Sequence, residues 1–164
     1  MKIKPVLIFF ILSLIFWALL NNTWNTTTML IGAVFSFILA WLFHPHYKEL
    51  ADLKITPYAL LYTILYIFVF LYELIKSNLD VARRVITPSL PINPGIVEVK
   101  TRLQSKIGRM ILANSITLTP GTLTIDMIDD TLYIHWIDVK TEDMEAATKK
   151  IVGKFEKYLE KIYG

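Results

Sequence analysis

Cysteine is absent from this 164-residue sequence. Disulfides, zinc–thiolate sites, iron–sulfur clusters and thiol nucleophiles are therefore excluded. Charge is scarce as well: 19% of the residues are charged and 54% are hydrophobic. With a mean hydropathy of +0.49, the chain is too apolar for an ordinary soluble domain and reads as a membrane protein with room for one small soluble domain. The net charge of +3 makes no case for nucleic acid. Glycine is sparse and scattered (Gly95, Gly108, Gly121), so neither a P-loop nor a dinucleotide fingerprint exists. The acids Asp126, Asp129, Asp130 and Asp138 lack the glycine-punctuated loop that calcium requires.

What the chain does hold is three uncharged apolar runs: Val6–Leu20, Met29–Phe43 and Tyr58–Tyr72. With their polar flanks each reaches roughly 18–20 residues, enough to cross the hydrocarbon layer. A crossing backbone must bond to itself, so each run is expected to be a helix. The spans are placed at about 5–22, 27–44 and 57–76. Trp17, Trp24, Trp41 and Tyr47 stand toward run ends, where aromatic belts lie. No small-residue cleavage site follows the first run, so it is expected to stay as an anchor. The connection NNTWNTTT (21–28) is short and uncharged, which makes the first two runs a hairpin. Its sequons at Asn21 and Asn25 read as polar loop and helix-capping residues.

The positive charges divide ambiguously. If all three runs cross, Lys2, Lys4, Lys48 and Lys54 flank one side, and Lys76, Arg83 and Arg84 the other, which does not set an orientation. If the third run stays on one side, all of these fall together. That run is apolar all round, which fits crossing or deep burial, and three spans are the expectation.

The third run continues as YELIKSNLDVARRVITP. Apolar residues recur there at helical spacing between charges, so the helix becomes amphipathic as it leaves the bilayer. Asp80 and Arg84 are spaced to pair across one turn. Arg83 and Arg84 suit anionic headgroups or an acidic partner. Thr87-Pro88 ends the helix. The segment 79–95 thus reads as a helix end followed by a stiff, proline-rich linker.

Residues 96–164 read as a small α+β domain in the order β-α-β-β-α. A short strand covers Ile96–Val99 and a helix Gln104–Ser115. TLTIDM and TLYIHWIDV are two strands joined at Ile128–Asp130. The second carries apolar groups on both faces, so it is expected to be central in the sheet or covered. The tail from Thr141, as N-cap, is a single amphipathic helix.

Catalytic chemistry finds little support. His135 lies on an alternating strand, and packing explains it. His44 and His46 with Glu49 lack further ligands for a metal. Ser115 and Thr117 have no general base nearby. Glu73 is the ionisable residue at the bilayer end of a span, a position that suggests function, although Lys76 stands one turn away. In NSITLTPGTLTIDM (114–127), Pro120 and Gly121 form a type II turn. Asn114, Thr117, Thr119 and Thr122 around it can satisfy backbone groups or meet a partner. No catalytic, cofactor-binding or metal-binding residue is assigned.

The stretches ELIKSNLDVARRV, PGIVEVKT, LANSITLTPGTLTID and LYIHWIDV together resemble the MnhE/MrpE/PhaE family, small subunits of the Mrp-type multisubunit sodium/proton antiporters. The similarity covers nearly the whole chain. It implies a non-enzymatic accessory subunit in a prokaryotic cell membrane, with its C-terminal domain in the cytoplasm. Larger subunits carry Na+ and H+, and the partners are those hydrophobic subunits and the lipid bilayer. Related subunits in energy-converting hydrogenases and sulfur-reducing complexes make those an alternative host. From another class, a free-standing membrane-anchored sensor domain is a third reading.

Overall fold

A computed structural model describes residues 3–22, 24–43, 54, 56–141 and 143–164. His44, His46 and Glu49 lie outside the described residues. The chain forms two compact units, the first ending at Leu53 and the second running from Lys54 to Gly164.

The first unit is the expected hairpin. Helices α1 (Ile3–Asn21) and α2 (Thr26–Leu42) pack through small residues, because Gly32, Ser36 and Ala40 are the buried positions of α2. Small residues four apart let two backbones approach closely, the usual way helices associate where lipid removes the hydrophobic drive. Trp17 lies over Gly32 and donates its Nε1–H to Thr28 O at 3.0 Å. Asn25 caps α2 by accepting from the Thr27 N–H, as its sequence position suggests. More than half of the remaining apolar side chains of both helices are exposed.

The second unit opens with α3 (Pro57–Ile86). Thr56 caps it and Pro57 fills its first turn, where a missing N–H costs nothing. It stops at Thr87, before Pro88. The linker does not stay extended: Leu90 adopts φ +41°, its N–H bonds Thr87 O, and the chain bends back. Asn93 then pins it, donating to Ile137 O and accepting from the Val139 N–H.

Strands β1 (Gly95–Lys100), β2 (Thr122–Ile128) and β3 (Thr131–Trp136) form an antiparallel sheet in the order β1-β3-β2. The two-faced strand β3 is central, one of the two arrangements its composition allows. A bulge interrupts β2 between Thr124 and Asp126, and Ile125 there is half exposed, like Leu123 on the same face. Asp129 takes φ +54° in the β2–β3 turn, a conformation Asp tolerates better than most residues.

Helix α4 (Lys106–Leu118) runs three residues beyond the expected Ser115. The tail differs more. It is two helices, α5 (Met144–Ile151) and α6 (Gly153–Tyr163), and Asp143, rather than Thr141, caps the first through the Ala146 N–H. The order is therefore β-α-β-β-α-α. The break falls at Val152–Gly153, where glycine weakens the helix. It lets α5 cover β1 while α6 turns onto α3 and α4.

The core lies between the sheet and these helices. Val99, Leu112, Leu132, Ile134, Val152, Phe155 and Leu159 are fully buried. Tyr62, Tyr66 and Phe70 of α3 pack against this cluster. The Phe155 ring meets Tyr66 edge-on at 6.3 Å and Phe70 at 6.4 Å. The Tyr66 hydroxyl and Ser115 Oγ are hydrogen-bonded. Thus α3, grouped with the membrane spans by its composition, is built into the α+β unit. The buried Glu156 accepts from Thr101 Oγ1–H at 2.5 Å and the Arg102 N–H at 2.7 Å, tying the β1–α4 corner to α6.

Candidate functional site: the cleft beside the TPGT turn

The turn at Thr119–Thr122 has the geometry its residues specify. Gly121 takes φ +91°, and the Thr122 N–H returns to Thr119 O at 3.3 Å, which is the type II arrangement. The threonine hydroxyls close the C-terminus of α4, whose last carbonyls have no helical partner. Thr119 Oγ1–H donates to Ser115 O at 2.7 Å. Thr122 Oγ1–H donates to Ile116 O at 2.7 Å and shares Thr119 O. The Ile137 N–H bonds Gly121 O at 2.9 Å, which fastens the turn to the end of β3.

This turn forms one wall of an open cleft of about 320 Å³. The wall opposite is α3, through Glu73, Lys76, Ser77, Asp80 and Arg84, and the floor holds Trp136 and Asp138. Seven of the residues singled out in the sequence meet here: Glu73, Lys76, Arg84, Thr119, Pro120, Gly121 and Thr122. Arg83 faces a neighbouring groove beside Pro91. Asn114 is exposed elsewhere on α4, and Thr117 Oγ1 accepts from the Thr124 N–H at 3.2 Å. His135 sits outside the cleft, on the other face of β3.

The carboxylates of the cleft are all matched by cations. Glu73 lies 3.0 Å from Lys154 Nζ and 3.6 Å from Lys76 Nζ. Arg84 Nε meets Asp80 at 2.7 Å, and its Nη1 meets Asp138 at 2.6 Å. Nη1 also donates to Pro91 O at 2.6 Å. One guanidinium so joins α3, the linker and the strand end, a fork geometry lysine cannot copy. Lys140 pairs with Asp138 too. This Lys140 bond above all, then Arg84, holds the Asp138 carboxyl below the usual carboxylate range against the opposing effect of burial. Asp80 chiefly, with Asp138, keeps the Arg84 guanidinium protonated more firmly than usual. Lys150 stacks over the Trp136 ring at 5.2 Å.

Lys140, Lys150 and Lys154 were not picked out from the sequence, and Asp138 was weighed there only as a calcium ligand. Helical spacing exposes partners one turn apart, such as Asp80 and Arg84, but not partners brought together by folding. Among the described residues no group of three or more His, Asp or Glu could hold a metal, and the cleft offers no unpaired carboxylate as a proton acceptor. Its chemistry is that of a fastening.

Comparison with known proteins agrees with an anchored subunit. The pattern defining the Na+/H+ ion antiporter subunit family matches residues 10–162. The E1 subunit of the Na(+)/H(+) antiporter of Staphylococcus aureus (strain bovine RF122) is 34% identical over 157 residues, 92% of each chain. That of strain JH9 is 33% identical over the same share. A chain in the structure of the membrane-bound sulfane sulfur reductase, an archaeal respiratory membrane complex, is 46% identical with a TM-score of 0.83. It covers 95% of this chain and 97% of its own. By the match across almost its whole length, this chain belongs to the Na+/H+ ion antiporter subunit family.

Proposed function

We propose that the chain is an accessory subunit of a multisubunit membrane complex that exchanges Na+ for H+, and that it supports assembly rather than carrying ions. The observation that supports this best is the pairing of every carboxylate in the cleft with a cation. A residue that moves protons or Na+ needs a group free to change partners, and Glu73, the best placed, is held between Lys76 and Lys154. The likeness to the antiporter's E1 component supplies the kind of complex. The α1–α2 hairpin crosses the membrane, the α+β unit stands in the cytoplasm, and the chain has no enzymatic activity of its own. The cleft beside the TPGT turn holds the chain's own elements together and presents Pro120 and the rim lysines to neighbouring subunits.

The test is deletion of the chain, followed by measurement of complex assembly and of Na+/H+ exchange in everted vesicles. Loss of both is expected. Unchanged exchange with the complex intact would overturn the proposal, and a free monomer that binds a small molecule would favour a sensor.

A second reading has its own support. The sulfane sulfur reductase chain is 46% identical, against 34% for the antiporter relative. A host of the sulfur-reducing kind follows from that reading. Sulfane sulfur reduction by the complex that co-purifies with the tagged chain separates the two, because only the second host carries that activity.

A further inference from the structure

We infer that α3 does not cross the membrane but lies along its surface, with its outward apolar stripe seated in the lipid interface and the α+β unit above it. The inference rests on the membrane location of the chain and not on the identity of the host.

The first argument is one of length. Contacts between α3 and the rest of its unit run from Tyr62, packed on the core, to Arg84, bonded to Asp138. That stretch is roughly 33 Å at 1.5 Å per residue, as long as the hydrocarbon layer is thick, about 30 Å. Only the first turn of α3 lies outside it. A crossing helix would carry the packed layer into the lipid with it. At the level of Tyr66 and Phe70 that layer is α6, which bears the exposed Lys157 and Lys161. Exposed charges of this kind are excluded from the hydrocarbon.

The second argument concerns the opposite face. Leu61, Ile64, Phe68, Ile75, Leu79 and Ile86 form one stripe down α3 and are between 46% and 79% exposed. The stripe continues to the last turn, past Lys76, Asp80 and Arg83. A crossing segment would lose its apolar character at the bilayer edge, whereas an interfacial helix keeps one apolar side throughout. Lys76 and Arg83, both exposed, flank the stripe on the side that also bears Tyr58 and Tyr72. Cations and tyrosines at that height suit anionic headgroups and the aromatic belt. Lipid matches this edge better than the apolar helices of another subunit, which would bury the exposed Arg83 against an apolar face.

Placement on one side also removes the charge ambiguity. Lys2, Lys4, Lys48, Lys54, Lys76, Arg83 and Arg84 then all flank the same face of the membrane, as the positive-inside rule favours.

The lack of cysteine makes the test direct. Single Tyr58→Cys, Ser89→Cys and Lys157→Cys variants bracket α3 and mark the α+β unit. They are probed with a membrane-impermeant maleimide in sealed vesicles of both orientations. All three are expected to react from one side, and reaction of Tyr58→Cys and Ser89→Cys from opposite sides overturns the inference. Bimane attached at Ile64→Cys, Phe68→Cys and Ile75→Cys, in the full complex in nanodiscs, then reports depth through lipids brominated at shallow or deep acyl positions. Similar quenching at all three sites by the shallow lipids supports the interfacial position. Deep quenching at Phe68 with shallow quenching at Ile75 overturns it in favour of a span. Absence of quenching at every depth overturns the lipid contact in favour of a protein partner.

Discussion

Lys154 of α6 holds Glu73 of α3 across 3.0 Å, with the two side chains only 27% and 13% exposed. The acid that its place in the sequence marks for ion handling is thus a rivet between two helices far apart in the chain. Glu73→Gln should lower stability by about 1 kcal/mol, more than an exposed pair and less than a buried one. The amount of assembled complex on native gels should fall while exchange per complex stays constant. Normal assembly with lost exchange would return Glu73 to the ion path.

The pair of Arg84 and Asp138 should respond to acid. Asp138 has its carboxyl pulled below the ordinary range, so its ion pairs stabilise the fold fully above about pH 4, the value of a free carboxylate. That stabilisation disappears as the pH falls through the lower folded value. In Asp138→Asn the melting temperature should therefore drop at neutral pH and lose part of its acid dependence. An unaltered acid limb in the variant would show that other carboxylates dominate.

Arg84→Lys should not rescue the clasp. It keeps the charge but loses the fork that reaches Asp80, Asp138 and Pro91. A loss of roughly 1.5–3 kcal/mol is expected, the usual range for bonds to charged groups. It can be followed by proteolysis within residues 87–94, where the linker is fastened.

At Gly121 the φ of +91° excludes side chains, and a Cβ would meet Ile137 Cγ2 at 3.0 Å. Gly121→Ala should cost about 1–3 kcal/mol and loosen the turn from β3. Amide exchange at Ile137, whose N–H bonds Gly121 O, should rise. Unchanged protection there would mean that the turn absorbs the strain.

Phe155 fills the space between Tyr66, Phe70 and the core. Phe155→Ala should cost about 3–5 kcal/mol, whereas Phe155→Leu should stay under about 1.5 kcal/mol. Chemical denaturation in mild detergent distinguishes the two. Equal losses would argue that ring stacking, rather than volume, is what matters.

Much of this molecule was legible because its signals are local. Asn25 as a cap, the stop at Thr87-Pro88, the Asp80–Arg84 pair and the type II turn each depend on residues within one turn of helix or chain. The two apolar faces of β3 narrowed its place to central or covered, and it is central. The pairing of Glu73 with Lys154 and of Asp138 with Arg84 was not legible, since these partners meet only through folding. The attachment of α3 was hidden for another reason. Tyr62, Tyr66 and Phe70 sit in a run so apolar that core, lipid and partner faces look alike. The split tail had a visible sign in Gly153, outweighed by the continuous apolar stripe on either side.

The break at Val152–Gly153 has a consequence for biosynthesis. Because α6 swings onto α3, the helix that shelters Tyr66 and Phe70 is made long after them, with residues 87–152 synthesised in between. At 5–20 residues per second that gap lasts on the order of 3–13 s. During it, α3 emerges from the ribosome bare, long and apolar enough to cross a membrane. On the interfacial placement inferred above, its address depends on whether the insertion machinery or α6 reaches it first, so slowing translation after α3 should raise the misinserted fraction.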